Sequence, residues 1–444
     1  MKHFQLWLAC LFAPLAPLAH ADITVLPDGS VGPVVGLAQA LAIAQPGETL
    51  FLMPGDYAGV TINGQAVNII GAGRDLVTVG TPAGSSEAAN LFLRGLPRDQ
   101  TVILAGMTLD QRSSAVDEPT LFIDDCEGLV VLHDLEIDKT AAGSQAPLAS
   151  VWCRRSTRVL IDHCTVRGYV SPTSPLQYVG SATSVTHGSH VDFNHCQVLG
   201  GSGGIQGNYL GSNAVSANVS SIRIHGGVTR GGDSLLVLNP SYDHSGGAGI
   251  SLSGADLVLS GGPGTVVQGG TTLLTGDASD KGGFAIIFTL GKALIHTGVQ
   301  LEPGYGGTGV QAPMFNLDSP AGLSRENSGQ RRPGLSVTPS SGVPGAGYEL
   351  NIQGTPGRLQ TIVVARRLTA PFNLAGYAGL SYLDPSQPFD LFSATTDGNG
   401  VASMQIFTPA IPELIGQFTW YQSFEIQDPD GRPLLGLPTG YRFR

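Results

Sequence analysis

The strongest constraint on the fold is a ten-residue motif that recurs along the first half of the chain. Its five copies start at intervals of 28 to 32 residues, and within each copy apolar residues recur at every second position of the first strand. The copies begin at Thr101, Leu129, Arg158, His190 and Ser221 and read TVILAGMTLD, LVVLHDLEID, RVLIDHCTVR, HVDFNHCQVL and SIRIHGGVTR. A period of two is typical of a half-buried β-strand. The repeat therefore predicts a solenoid in which each copy belongs to one coil.

Repeats of this length also occur in helical-pair and leucine-rich-repeat proteins. The chain lacks the helical period of the first and the Leu and Asn framework of the second. It contains 62 glycines and 29 prolines, which suit a fold with many turns and weaken helices. We therefore predict an all-β coil with one apolar column pointing inward. That column is formed by Leu104, Leu132, Ile161, Phe193 and Ile224.

The segment at residues 47–75, GETLFLMPGDYAGVTINGQAVNIIGAGRD, resembles the entry coils of right-handed parallel β-helix proteins of the pectin-lyase-like group. Proteins of that group commonly begin with G-D-x-I-x-V-x-P-G-x-Y, followed by an apolar run and a Gly. The matching positions are Gly47, Glu48, Pro54, Gly55, Tyr57 and Gly71. The resemblance covers roughly residues 24–317 and implies a right-handed parallel β-helix. It implies no single function, because this fold carries many activities.

The sequence divides into four parts. Residues 1–21 read as a signal peptide, residues 22–317 as the β-helix, residues 318–334 as a polar linker and residues 335–444 as an antiparallel β-sandwich. A helix at residues 34–44 is expected to cap the first coil. The polar linker predicts a semi-independent sandwich module, with residues 282–306 closing the solenoid itself.

Net charge and hydropathy restrict the partners. The formal net charge of −11 repels phosphate backbones, so nucleic acid is excluded as a partner. After the signal peptide no apolar run is long enough to span a bilayer. We therefore expect a secreted or cell-envelope protein without a transmembrane segment.

Four cysteines remain after the expected cleavage. Cys126 and Cys153 fall on neighbouring coils and are candidates for one disulfide, whereas Cys164 and Cys196 share a column and are expected as free thiols. Burial of all four as small hydrophobic residues is an equally open interpretation.

One candidate site is the polar column at the turn of the repeat. It contains His133, Asp134, Asp162, His163, Asn194, His195 and His225. Stacked imidazole and carboxylate groups could bind a metal ion. We favour a structural polar ladder, because β-helix turns are routinely lined by side chains that hydrogen-bond one another.

A second candidate site comprises Asp124, Asp125, Arg154 and His187, together with Arg155 and Thr186 on the same side of neighbouring coils. Two carboxylates with a basic group suit glycosidic bond hydrolysis, and an Arg beside a carboxylate suits a lyase acting on uronates. A surface Asp–Arg pair without catalytic role is the plainer interpretation. Trp152 on the same coil is a candidate for sugar stacking.

The third candidate is the loop at residues 239–249, which contains Tyr242, Asp243 and His244. Long loops of a solenoid often carry substrate contacts, but Gly and Ser residues equally suit a plain excursion.

These features predict a binding or structural module that contacts polysaccharide or another cell-surface component. The alternative is a lyase or hydrolase that acts on uronate-rich glycans. No cofactor is expected, since the acidic residues are too few and too scattered for a clear calcium site.

The signal peptide gives a direct test. Mass spectrometry of the exported protein should find a mature chain that starts near Asp22. Recovery of exported protein that retains Lys2 to Ala21 would contradict this expectation.

Overall fold

The structure is a computed structural model of the chain. It describes residues 22–81, 91–111, 119–139, 149–169, 180–202, 211–234, 246–272, 282–306, 311–317, 323–325, 333–373, 377, 380–426 and 433–444. The expected signal peptide at residues 1–21 lies outside the described residues. No described helix is both long enough and apolar enough to cross a membrane.

Short parallel strands build the first part of the chain. They are β1 (Ile23–Val25), β2 (Thr49–Leu52), β3 (Gly55–Ala58), β4 (Thr61–Asn63), β5 (Asn68–Gly71), β6 (Val77–Thr81), β7 (Leu91–Arg94), β8 (Thr101–Ala105), β9 (Thr108–Gln111), β10 (Leu121–Asp124), β11 (Leu129–His133), β12 (Glu136–Lys139), β13 (Val151–Arg154), β14 (Val159–Asp162), β15 (Thr165–Arg167), β16 (Thr183–Thr186), β17 (His190–Leu199), β18 (Val215–Asn218), β19 (Ser221–Arg230), β20 (Ile250–Ser253), β21 (Ala255–Gln268), β22 (Ile286–Phe288), β23 (Gly291–Ile295), β24 (Gln300–Glu302), β25 (Phe315–Leu317) and β26 (Leu323–Arg325).

These strands stack into three faces of a parallel solenoid. Face A is a nine-stranded sheet of β4, β7, β10, β13, β16, β18, β20, β22 and β25. Face B consists of β1, β2, β5, β8, β11, β14, β23, β26 and the first halves of β17, β19 and β21. Face C consists of β3, β6, β9, β12, β15, β24 and the second halves of β17, β19 and β21. The prediction of an all-β parallel coil is confirmed.

The core of the solenoid is made of stacked apolar columns. The column Leu104, Leu132, Ile161, Phe193 and Ile224 is at most 2% exposed, and its members are register partners on face B. The predicted inward direction of this column is therefore confirmed. Because like positions lie about 4.8 Å apart, each apolar residue packs on its own counterpart in the next coil.

Two corners of each coil pass through a left-handed residue. Between faces B and C that residue is Asp134, His163 or His195, with φ of 50°, 53° and 49°. Short polar residues are the non-glycine residues that tolerate this conformation best. The D-H-C and N-H-C sequences follow from this geometry: His163 or His195 turns the corner, and Cys164 or Cys196 after it points into the core.

Glycine pairs close the connections from face C back to face A. In each connection a backbone amide donates to a backbone carbonyl on the other side, at 2.7–3.0 Å. The donor and acceptor pairs are Ser212 and Gly201, Gly247 and Gly232, Gly283 and Gly270, and Ala312 and Gly304. Each pair is joined to the next coil by a further backbone bond, such as Gly270 to Gly247 at 2.8 Å. The two backbones approach so closely that a Cβ on Gly247 would lie 1.9 Å from the Ser212 carbonyl oxygen. We call this stack of hydrogen-bonded connections the glycine zigzag, and it explains why glycines recur on both sides of each connection.

The single α-helix among the described residues is α1 (Leu37–Ile43). It lies within the helix predicted at residues 34–44 and buries Leu37 and Ala40 in the solenoid core. It therefore covers the first coil, as a cap should.

The C-terminal strands are largely antiparallel. They are β27 (Gly334–Thr338), β28 (Ser341–Gly342), β29 (Gly347–Gln353), β30 (Leu359–Ala365), β31 (Leu368–Asn373), β32 (Leu380–Leu383), β33 (Asp390–Thr395), β34 (Val401–Phe407), β35 (Phe418–Ile426), β36 (Pro433–Leu435) and β37 (Thr439–Phe443), with a 3-10 turn at Pro412–Leu414. A sheet of β27, β29 and β34 and a sheet built on β28, β37, β35, β30 and β33 share one apolar core. We call residues 333–444 the C-terminal domain. Strand β26 lies inside the segment predicted as a linker and pairs with β23, so part of that segment continues the solenoid.

The C-terminal domain packs against the flank of the solenoid. Outward residues of face B join it in one buried cluster that contains Ile70, Ala105, Leu129, Val131, Leu160, Ala365, Leu368, Tyr382, Leu383, Phe418, Trp420 and Leu437. Trp420 is fully buried there. The expectation of a loosely tethered module is wrong, because this apolar contact fixes the domain on face B.

All four described cysteines are free and buried, so the disulfide between Cys126 and Cys153 is not formed. Burial raises the pKa of all four thiols, which makes them poor nucleophiles. They serve as small apolar residues of the core.

The glycine zigzag predicts a large steric effect at one position. Gly247→Ala should lower the free energy of unfolding by about 1–3 kcal/mol, because its Cβ would overlap the Ser212 carbonyl. Gly398→Ala is the matched control, since no heavy atom lies within 4 Å of its Cβ position. Thermal and urea unfolding should show little change for that control. Equal effects of the two substitutions would refute the close-approach argument.

Candidate functional site

The outer surface of face A carries an aromatic stack. Phe92, Phe122 and Trp152 are register partners on β7, β10 and β13. The ring centroids of Phe122 and Trp152 are 4.9 Å apart at 21°, and those of Phe92 and Phe122 are 5.8 Å apart at 73°. The guanidinium of Arg154 lies 5.0 Å from the Phe122 centroid and 5.5 Å from that of Trp152. Cations and rings therefore interleave along this face.

Asp124 and Arg154, both predicted site residues, meet beside this stack. Nε and Nη2 of Arg154 donate to the two carboxylate oxygens of Asp124 at 2.8 and 2.7 Å. Nη2 of Arg155 adds a bond of 3.0 Å to Oδ1 of Asp124. Asp124 is buried, whereas the side chains of Arg154 and Arg155 are 31% and 51% exposed. The carboxylate thus holds two guanidinium groups at the surface of the face.

This pairing fixes the charge of both partners. The hydrogen bond from Arg154 lowers the pKa of the Asp124 carboxyl, and the same bond raises the pKa of Arg154. A carboxyl held ionised is a poor general acid, and an arginine with a raised pKa is a poor general base. The geometry therefore suits recognition by fixed charges better than proton transfer.

Asp125 and His187 lie outside the hydrogen-bonded pair of Asp124 and Arg154. Both occupy the left-handed corner after face A, with φ of 56° and 57°. Asp125 is 70% exposed and lies 3.9 Å from Nε of Arg155. His187 is exposed and belongs to the coil of β16, two coils beyond Asp125. The four predicted site residues are therefore one tight pair, the corner residue Asp125, which an ion pair with Arg155 links to that pair, and the separate corner residue His187.

Beyond Trp152 the outer surface of face A becomes polar and uncharged. The indole Nε1 of Trp152 donates to Oγ1 of Thr186 at 3.2 Å. The outward positions of the next three coils are Ser184, Thr186, Ser216, Asn218, Ser251 and Ser253. Hydroxyl and amide groups thus continue the line that the aromatic stack begins.

Tyr242, Asp243 and His244 of the third predicted candidate lie outside the described residues. That candidate stays a prediction.

The polar column at the corner between faces B and C is buried under the C-terminal domain. Asp162 is fully buried and accepts hydrogen bonds from Nδ1 of His133 at 2.9 Å and Nδ1 of His163 at 2.8 Å. It also accepts from the Asn194 amide at 2.8 Å and the backbone amide of Gly440 at 3.1 Å. Burial acts to raise the pKa of Asp162, but the attraction and hydrogen bonds of His163 and His133 outweigh it and hold the pKa well below its ordinary value.

The ring nitrogens and carboxylate of His133, Asp162 and His163 lie within 4.8 Å of one another, close enough to hold a metal ion. The donor set does not fit one. Both Nδ1 atoms already bond to Asp162, and protein donors fill both of its oxygens. A cation held by the Nδ1 atoms and the carboxylate would have to displace these bonds, so the column supports a structural role.

Two further polar anchors join the C-terminal domain to face B, and sequence reasoning missed both. The hydroxyl of Tyr382 bonds to Asp192, which is also held by Nε and Nη2 of Arg223 at 2.6 and 2.7 Å. Arg442, 1% exposed, donates to the carbonyl of Gly71 and to Asp134. Its guanidinium occupies the space that a side chain at position 106 would fill, which requires Gly106.

Comparisons with known proteins give little further information. No protein-family model and no curated protein matches the chain. Among solved structures, the enzymatically active domain of bacteriophage CBA120 tailspike protein 2 is 11% identical, with a TM-score of 0.30 over 96% of this chain and 76% of that chain.

Two more solved tailspike structures are similar at the same low level. Full-length tailspike protein 2 from the Escherichia coli O157:H7 bacteriophage is 10% identical, with a TM-score of 0.31 over 96% of this chain and 68% of that chain. The enzymatically active domain of CBA120 tailspike protein 4 is 12% identical, with a TM-score of 0.24 over 82% and 62%. Likeness at this level carries no conclusion about activity.

The network around Asp162 gives a prediction on stability. Asp162→Asn should cost about 3–5 kcal/mol at neutral pH, because it removes the buried charge that two imidazoles share. The depressed pKa means that this contribution is complete above the ordinary Asp pKa of about 3.9 and is lost as the pH falls below it. The difference in free energy of unfolding between the wild type and Asp162→Asn should therefore become smaller at acidic pH.

Asp125→Asn is the matched control, since that carboxylate is mostly exposed. Its unfolding midpoint should stay near that of the wild type at every pH. A similar cost for the two substitutions, or a difference that does not change with pH, would show that Asp162 is not an anchor.

Proposed function

We propose that this chain is an exported β-helix protein that binds a polysaccharide or another cell-surface component along the outer surface of face A. The observation that carries the proposal is the in-register set of Phe122, Trp152, Asp124 and Arg154. Aromatic rings supply stacking surfaces, and paired ions supply fixed hydrogen-bonding groups. Face A offers both kinds of group to a polar polymer.

The length and polarity of face A support the binding of an extended ligand. Outward side chains repeat at each coil with a spacing of about 4.8 Å, so a linear polymer can meet one set of groups per coil. Trp152 lies at the boundary between the aromatic part and the hydroxyl-rich part. A glycan lying along the solenoid would stack near Trp152 and hydrogen-bond to the serine and threonine side chains beyond it.

The charge state favours binding over cleavage. Asp124 lacks a proton to transfer, because the hydrogen bond from Arg154 lowers its pKa and keeps it ionised. Arg154 and Arg155 are partly exposed and carry positive charge toward solvent. Acidic glycans are therefore favoured over neutral ones, since a guanidinium binds a carboxylate or sulfate through charge-assisted bonds.

The test is a binding panel of acidic and neutral polysaccharides, measured by affinity electrophoresis and calorimetry. Trp152→Ala and Arg154→Gln should each weaken binding roughly tenfold, the size of one lost anchor contact. Tyr305→Ala is the matched aromatic control, because Tyr305 is 51% exposed and lies outside face A. It should leave the affinity unchanged.

Each polysaccharide in the panel should also be assayed for release of unsaturated or reducing ends. Turnover that Asp124→Asn abolishes would replace the binding proposal with a lyase or hydrolase. Binding that survives both Trp152→Ala and Arg154→Gln would show that face A is not the site.

A further inference from the structure

A second polar site lies on another side of the molecule. A cleft of about 330 Å³ opens where face C meets the C-terminal domain. The solenoid contributes the corner residues His163 and His195 and outward residues of face C, and the C-terminal domain contributes Ser340. The cleft is thus built by both parts of the chain, and none of its residues belongs to face A.

The groups that line the cleft are mainly donors. Arg74 and Arg167 bring two guanidinium groups, and Thr165, Gln197 and Ser340 bring hydroxyl and amide donors. Glu136 is the acidic side chain in the lining, and it pairs with Nη1 of Arg167, so the two arginines exceed the lining carboxylates by one charge. On a chain with a net charge of −11, a donor-rich cleft with two arginines is a local positive site.

The two histidines in the lining differ in charge. Burial acts to lower the pKa of His163, but the neighbouring Asp162 outweighs it and raises the pKa. Burial and the neighbouring histidines hold the pKa of His195 well below its ordinary value, so its imidazole is neutral. The positive character of the cleft therefore comes from the arginines and not from His195.

We propose that the cleft binds an oxyanion, either as a free inorganic ion or as the carboxylate or sulfate of a larger ligand. Arg74 and Arg167 grip the anion, and the hydroxyls of Thr165 and Ser340 complete its hydrogen bonds. Because Ser340 belongs to the C-terminal domain and the arginines belong to the solenoid, a bound anion bridges the two. The free energy of anion binding then adds to the free energy that holds the domain on face B. This inference does not depend on the proposed function of face A.

The experiment is a titration of the full mature chain with sodium sulfate in the low millimolar range at constant ionic strength. Sulfate should raise the thermal midpoint by about 1–3 °C at saturation. Arg74→Gln and Arg167→Gln should each weaken the apparent affinity roughly tenfold, the value of one hydrogen bond to a charged group. Arg98→Gln, which replaces an exposed arginine outside the cleft, should behave like the wild type.

The arginine variants also separate specific binding from the general stabilisation of proteins by sulfate. General stabilisation would act alike on all four proteins, so equal midpoint shifts would overturn the proposal. Arg74 is exposed, so its replacement leaves the fold intact and keeps the comparison valid.

Hydrogen exchange reports the coupling to docking. The amides of β27, which covers the histidine corner, should exchange more slowly in sulfate for the wild type and not for Arg74→Gln. Unchanged β27 exchange at saturating sulfate would overturn the bridging role. Parallel titrations with phosphate, acetate and a monomeric uronate identify the source: a response to acetate and the uronate assigns a carboxylate, and a response confined to sulfate and phosphate assigns a tetrahedral anion.

Discussion

In-register stacking of parallel strands governs every other feature of this protein. Each side chain has as its nearest neighbours the residues at the same position of the coils before and after it, about 4.8 Å away. Like charges cannot follow one another in such a column without repulsion. Arg94, Asp124 and Arg154 are consecutive register partners and alternate in sign accordingly. The same rule places aromatic rings on aromatic rings and left-handed corners on left-handed corners.

The interface between the solenoid and the C-terminal domain combines apolar contact with buried charge. The apolar cluster around Trp420 would stabilise the interface even if the domain moved slightly along face B, because the hydrophobic effect has no direction. Buried charges do not tolerate a shift, since an unpaired ion in the interior is costly. Asp162 with Gly440, Asp192 with Tyr382 and Asp134 with Arg442 therefore fix one position of the domain on face B.

Much of the solenoid could be predicted from sequence, because a strand period of two repeated every thirty residues has few structural solutions. The spacing predicted an aspartate beside Arg154 but pointed to Asp125, whereas the register of the strands pairs Asp124 with Arg154. His187 was too many coils away to take part. The docking of the C-terminal domain was missed, although Leu129 to Leu132 is an unbroken apolar run. Such a run indicates a strand buried on both sides, and the structure buries all four residues. The polar linker could not predict how closely the two domains pack. Its composition describes only the connecting segment, whereas the packing depends on the surfaces of the domains themselves.

The hydrogen-bonded glycine pairs affect which insertions the solenoid can accept. Where Gly247 returns to Gly232 and Gly283 returns to Gly270, the chain closes its own connection before the next coil begins. The cost of closing a longer connection grows only with the logarithm of its length. Foreign segments inserted between such a pair would leave the stack of coils undisturbed. The number of residues between the two members of such a pair can therefore change without redesign of the core.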